Sequence, residues 1–176
     1  TVNFSTFTAL LLYKWENGTY VLDDDENQLS ITDGYWGGQY NHDWADYDND
    51  GDLDLASGGI SIFDNTNYLT IFRNDDGMLK KDTVQTDLVP LFPCALTWID
   101  INGDNYTDLL TLGRLELNGI SHMYINDGMG KLIKYSDEPF EIPSTLHAIS
   151  VGDHNNDGFD DVAIAHLNGT EMHTNI

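Results

Sequence analysis

Ten residues recur three times in this chain at almost constant spacing. They are DYDNDGDLDL from Asp46, DINGDNYTDL from Asp100 and DHNNDGFDDV from Asp153, offset by 54 and 53 residues. A period of about 50 residues is the signature of repeat architectures, in which each copy is one small supersecondary unit. Each copy follows a short alternating segment (YNHDWA, CALTWI, HAISVG) and precedes a β-prone run (DLASGGISIF, DLLTLGRLEL, DVAIAHLNG). Trp44 and Trp98 stand two residues before the first Asp of their copies, with Val151 as the third equivalent.

A second element recurs between the acidic copies. IFRNDDGMLKKD (71–82) matches MYINDGMGKLIKY (123–135), an apolar strand, an Asn-Asp-Gly turn and a second strand, which together compose a tight hairpin. LYKWENGTYVLDD near the N-terminus reads as the same hairpin from a preceding repeat. One repeat is therefore strand, acidic loop, strand, strand, hairpin turn, strand. Four short antiparallel strands in about 50 residues make one blade of a β-propeller. The leucines from Leu109 to Leu117 invite a helix, but Gly113 interrupts them and the repeat places a strand there.

The expected class is all-β: blades of four antiparallel strands, about three of them. Residues 1–25 read as the end of a preceding blade and 26–92 as a blade with the first loop. Residues 93–145 read as a second blade, and 146–176 as the start of a further one. Propellers close with four to eight blades, so the segment is expected to belong to a larger ring, completed by more of the same chain or by another subunit.

Five aspartates alternating within Asp46–Asp54 repel one another unless a cation joins them. Calcium takes six to eight oxygens at about 2.3–2.6 Å with tolerant geometry. A tight loop can aim the side chains of positions 1, 3 and 5 at one centre, with a residue of positive φ at position 6. Position 7 then supplies its carbonyl, and position 9 closes the sphere. The expected ligands are Asp46, Asp48, Asp50 and Asp54 with the Asp52 carbonyl in the first loop, where Gly51 turns the chain. In the second they are Asp100, Asn102, Asp104 and Asp108 with the Tyr106 carbonyl, around Asn105. The third has Asp153, Asn155, Asp157 and Asp161 with the Phe159 carbonyl, around Gly158. Leu53, Leu55, Leu109 and Val162 are expected to point into the blades and anchor the loops.

An EF-hand shares the alternating donors but needs Glu at position 12 and flanking helices; position 12 here is Ser57, Thr111 or Ile164. Magnesium retains waters that so many protein oxygens would displace, and zinc lacks clustered Cys or His donors. Three calcium sites are expected. Acidic turns arising by chance would not place Asp at positions 1, 5 and 9 in all three copies.

WADYDNDGDLDL and IFRNDDG resemble the FG-GAP and VCBS repeats, whose members form calcium-stabilised β-propellers, the integrin α-subunit head among them. The resemblance extends through the repeats over nearly the whole chain, and departs from the pattern where Asn105 replaces the usual Gly. It implies adhesion, recognition or scaffold roles outside the cell, by analogy of fold.

The net charge of −23 opposes nucleic acid or anionic lipid as partner, and no apolar run is long enough to cross a bilayer. The six histidines show no metal-binding spacing, and there is no Gly-x-Ser-x-Gly elbow or phosphate loop. His154 reads as a surface side chain and the single Cys94 as a buried core residue. A non-catalytic module with a protein or glycan partner is therefore expected. The alternatives are a carbohydrate-binding module, with Tyr35, Trp36 and Tyr40 as a stacking platform, or the propeller portion of a polysaccharide lyase. Sequons at Asn3, Asn17 and Asn168 suit glycosylation in a secretory pathway; that at Asn105 is expected to stay bare inside its loop.

Overall fold

The computed structural model describes residues 12–22, 41–60, 65–92, 95–115, 118–135, 146–166 and 169–173. These residues form antiparallel sheets and no helix. A two-stranded hairpin, β1 (Tyr13–Glu16) and β2 (Thr19–Leu22), turns at Asn17 and Gly18, both with positive φ. A four-stranded meander follows: β3 (Asn41–Ala45), β4 (Asp54–Ile60), β5 (Asn67–Asp75) and β6 (Met78–Lys81). The second meander is β7 (Ala95–Ile99), β8 (Asp108–Leu115), β9 (Asn118–Asn126) and β10 (Leu132–Lys134). The last sheet has three strands, β11 (Leu146–Gly152), β12 (Asp161–His166) and β13 (Gly169–His173).

The register repeats with the sequence. Ala45 pairs with Asp54, Ile99 with Asp108 and Gly152 with Asp161, so each acidic loop joins the first two strands of its sheet. β7 lies against both β3 and β11, which sets the first strands of the three sheets side by side. That is the arrangement of consecutive propeller blades, and the described residues form an arc of them.

Side-chain alternation explains the packing. In β8, Leu109 faces the first meander in a core with Tyr47, Ala56, Ile71, Trp98 and Tyr124. Leu110 and Leu112 face the three-stranded sheet and meet Ala95, Ile99, Val162 and Ile164. Because β8 is covered on both faces, its sequence is apolar at successive positions instead of alternating. This is the origin of the helix-like leucine run.

Leu55, Leu109 and Val162 are buried as the repeat predicts, but Leu53 is 56% exposed and does not anchor its loop. It occupies position 8, where the other copies carry Thr107 and Asp160. Its carbonyl accepts from Asn74 Nδ2 at 3.1 Å. The tryptophans also diverge. Trp98 stacks on Tyr47 with ring centroids 5.5 Å apart, whereas Trp44 is exposed and no ring stacks on it among the described residues.

Polar bonds join the first and second meanders. Asp43 Oδ2 accepts from Thr97 Oγ1 and from Trp98 N, both at 3.0 Å, while Trp98 Nε1 donates to the Asp43 carbonyl. Gln85, on the connection between the meanders, donates to the Gly130 carbonyl at 2.6 Å and accepts from Leu132 N. A Cβ at Gly130 would meet Asp48 Cβ at 3.0 Å, so glycine there lets the first loop seat on the neighbouring hairpin. The two hairpins differ, as do their turn sequences, Asn74-Asp75-Asp76-Gly77 in the first and Asn126-Asp127-Gly128 in the second. Asp76 and Gly77 make a two-residue turn, whereas five residues separate Asn126 from Leu132, closed by Asp127 N donating to the Lys131 carbonyl.

Candidate metal centre

All three loops share a backbone pattern with two residues of positive φ. Position 6 has Gly51, Asn105 and Gly158 at φ 99°, 65° and 92°. Asn105 thus takes the left-handed conformation expected where glycine is replaced. Position 4 does the same with Asn49, Gly103 and Asn156 at 60°, 73° and 59°. The sequence signal was present, since only Asn and Gly occupy that position and both tolerate the left-handed region.

These turns aim backbone amides at the carboxylate of position 1. Gly51 N donates to Asp46 Oδ2, Asn105 N to Asp100 Oδ2 and Gly158 N to Asp153 Oδ2, at 2.9–3.1 Å. Position 5 accepts from the amide two residues on, in Asp50, Asp104 and Asp157 alike. Position 9 is buried in every copy and accepts the amide of position 2: Tyr47 N to Asp54, Ile101 N to Asp108, His154 N to Asp161. Asp54 and Asp108 each accept a second amide from the third strand, Asn74 N at 2.8 Å and Asn126 N at 2.7 Å. Position 9 therefore fastens its loop to the sheet. Each carboxylate oxygen has a further lone pair, so these bonds leave capacity for a cation.

The loops differ at position 3. Asn102 and Asn155 donate through Nδ2 to Asp104 and Asp157 at 2.9 and 2.8 Å, which offsets part of the carboxylate repulsion. In the first loop position 3 is Asp48, and the structure brings Asp46, Asp48 and Asp50 together with one oxygen of each within 4.8 Å. Asp46 Oδ1 and Asp48 Oδ1 are buried and accept no hydrogen bond from the described residues. Buried anionic oxygens without a donor are costly, and a hard divalent cation is the partner their chemistry fits. Among the described residues this is the one such convergence of carboxylates. In the other loops the Asn oxygen accepts the amide of position 5, Asp104 N to Asn102 Oδ1 at 3.0 Å and Asp157 N to Asn155 Oδ1 at 2.9 Å, and keeps a second lone pair.

Burial raises the Asp48 carboxyl, with the neighbouring Asp50 charge adding to it. Burial likewise pushes Asp54 and Asp108 from the ordinary 3.8 up to about 6, against the lowering effect of their amide bonds. A carboxyl held above its unfolded value contributes stability below that value and loses it as pH rises through the folded pKa. The cation-free protein is therefore expected to melt higher at about pH 5 than at about pH 7.5. A divalent cation held by these carboxylates would raise the melting point more at the higher pH, where it displaces no protons. Melting curves at both pH values, with and without calcium, check this.

Asn74 and Asn126, turn residues by sequence, both serve the loops. Asn126 Nδ2 donates to the Tyr47 carbonyl of the first loop at 2.6 Å and to the Thr107 carbonyl of the second at 3.0 Å. Phe159 of the third loop lies over Gly103 of the second, where a Cβ would meet its ring at 2.9 Å. Neighbouring loops are thus in contact through side chains as well as through the sheets. Phe159 and Tyr106 have partly exposed rings, and His154 is exposed, with Nδ1 3.4 Å from Asp161 Oδ2. Tyr35, Trp36, Tyr40, Cys94, Asn3 and Asn168 lie outside the described residues; Asn17 is exposed at its turn and Asn105 in its loop.

Residues 100–164 match the FG-GAP-like repeat family, a stretch that begins at the first Asp of the second loop and ends in β12 beyond the third. No curated protein is significantly similar to the chain.

Proposed function

We propose that this chain, which carries an FG-GAP-like repeat within its propeller-type sheets, is a non-catalytic extracellular module stiffened by calcium, one ion per acidic loop. The convergence of Asp46, Asp48 and Asp50, with two buried oxygens lacking donors, carries the reading. In each loop the side chains of positions 1, 3 and 5 would hold the ion, with the position 7 carbonyl and the Asp of position 9 completing the oxygen set. The ion supplies positive charge that removes carboxylate repulsion and ties the first strand to the second.

Calcium sites outside the cell can be weak, around millimolar, because the ion is abundant there. Loops of this charge, on a chain with net charge −23, suit that environment. The role that follows is a rigid platform for adhesion or recognition of a protein or glycan, with the ring completed by further blades. Isothermal titration calorimetry of the metal-free protein with calcium is the test. Three sites with affinities of about 10⁻⁴–10⁻³ M are expected, and absence of any binding heat at millimolar calcium would overturn the reading.

A further inference from the structure

The first acidic loop has a charge environment that the second lacks. Position 3 is Asp48 in the first loop but Asn102 in the second and Asn155 in the third. The residue preceding the strand asparagine differs in step with it: Arg73 comes before Asn74, and Ile125 before Asn126. Across the hairpin, Arg73 pairs in register with Lys80, whereas Ile125 pairs with Ile133. One added carboxylate in the loop is thus accompanied by two cations on the adjoining hairpin.

The contacts link these groups into a chain. Lys80 Nζ is 3.0 Å from Asp75 Oδ2, Arg73 Nη2 is 3.0 Å from Asp75 Oδ1, and Arg73 Nη1 is 3.8 Å from Asp48 Oδ2. Asp75 holds the guanidinium in place and Lys80 holds Asp75. Arg73 approaches Asp48 through Oδ2 and leaves Oδ1, the buried oxygen for which the described residues supply no donor, uncovered by the guanidinium. The guanidinium therefore stands behind the loop without filling it, and its charge is permanent.

We infer that Arg73 is a tethered counter-charge for the first loop, which holds Asp48 in place without a cation and lowers the affinity of that loop for a divalent ion. The inference rests on the calcium reading above. A divalent ion held by Asp48 is repelled by the fixed positive charge behind it, and the repulsion is moderated because Arg73 is half-exposed. Arg73 is a positioning residue: it acts on the ion through Asp48 and supplies no ligand. The second loop, with Asn at position 3 and Ile125 behind it, has neither the extra charge nor its compensation.

The test is a calcium titration of the metal-free protein followed by amide NMR. The amides of Gly51, Asn105 and Gly158 each donate to the position 1 carboxylate of their own loop, so they report the three loops separately. Arg73→Gln and Arg73→Ile are expected to tighten binding at the Gly51 loop by about two- to fivefold and leave the other midpoints unchanged. Arg73→Lys should stay near wild type, and the gain in Arg73→Gln should shrink in roughly 0.5 M NaCl. Unchanged Gly51 midpoints in Arg73→Gln, or equal movement of all three loops, would overturn the inference while leaving calcium binding intact. A wild-type protein whose loop amides ignore millimolar calcium would remove the calcium reading and this inference with it.

Discussion

On the proposed calcium reading, excess EGTA is expected to lower the melting temperature of the protein in millimolar calcium by about 8–16 °C. A ligand that binds only the folded state stabilises it by RT ln(1 + [L]/Kd), about 1.4 kcal/mol per site at ten times Kd. Three such sites amount to about 4 kcal/mol, and a chain of this length shifts by about 2–4 °C per kcal/mol. Ionic strength must be held constant, because on a chain of charge −23 monovalent salt alone relieves some repulsion. Magnesium at the same concentration should restore less of the lost stability, since it keeps its waters. Superimposable curves in calcium and EGTA would mean that the loops are held by their own amides. The bonds from Gly51, Asn105 and Gly158 to position 1 make that outcome physically meaningful.

The fold was legible because the repeat states it three times. The period located the acidic loops, alternation located the strands, and the Asn-Gly and Asp-Gly pairs located two of the hairpin turns. Register within a sheet follows from local pattern, but contact between sheets depends on which residues the arc brings face to face. Asp43 reads in the sequence as one more polar residue of an alternating strand, yet its carboxylate joins β3 to β7. Asn126 reads as the start of a turn, yet its side chain reaches carbonyls of two loops. At Leu53 hydrophobicity and register conflict: the side chain suggests an anchor, but its equivalents Thr107 and Asp160 mark position 8 as solvent-facing. Within the site, the alternation of aspartates indicated the donor types. That position 9 is first a fastening for backbone amides was hidden, because those amides come from another part of the loop and another strand.

This fastening role yields the second large effect. Asp54→Asn and Asp108→Asn are expected to destabilise the protein by about 1–3 kcal/mol, because the amide partner that is lost outweighs the relief of no longer burying a charge. Asp54 accepts Tyr47 N through one oxygen and Asn74 N through the other; Asp108 accepts Ile101 N and Asn126 N in the same way. An asparagine offers one acceptor oxygen and sets an NH2 against the second amide, so one buried N–H loses its partner and meets another donor. Position 3 should behave oppositely. Asp48→Asn reproduces what the second and third loops already carry, and it should leave metal-free stability within about 0.5 kcal/mol of wild type while weakening calcium binding at the first loop alone. Urea denaturation in EGTA separates the cases, because without cation only the amide bonds distinguish the variants. If Asp54→Asn unfolds at the wild-type urea concentration there, position 9 does not fasten the loop, and its burial in all three copies would need another cause.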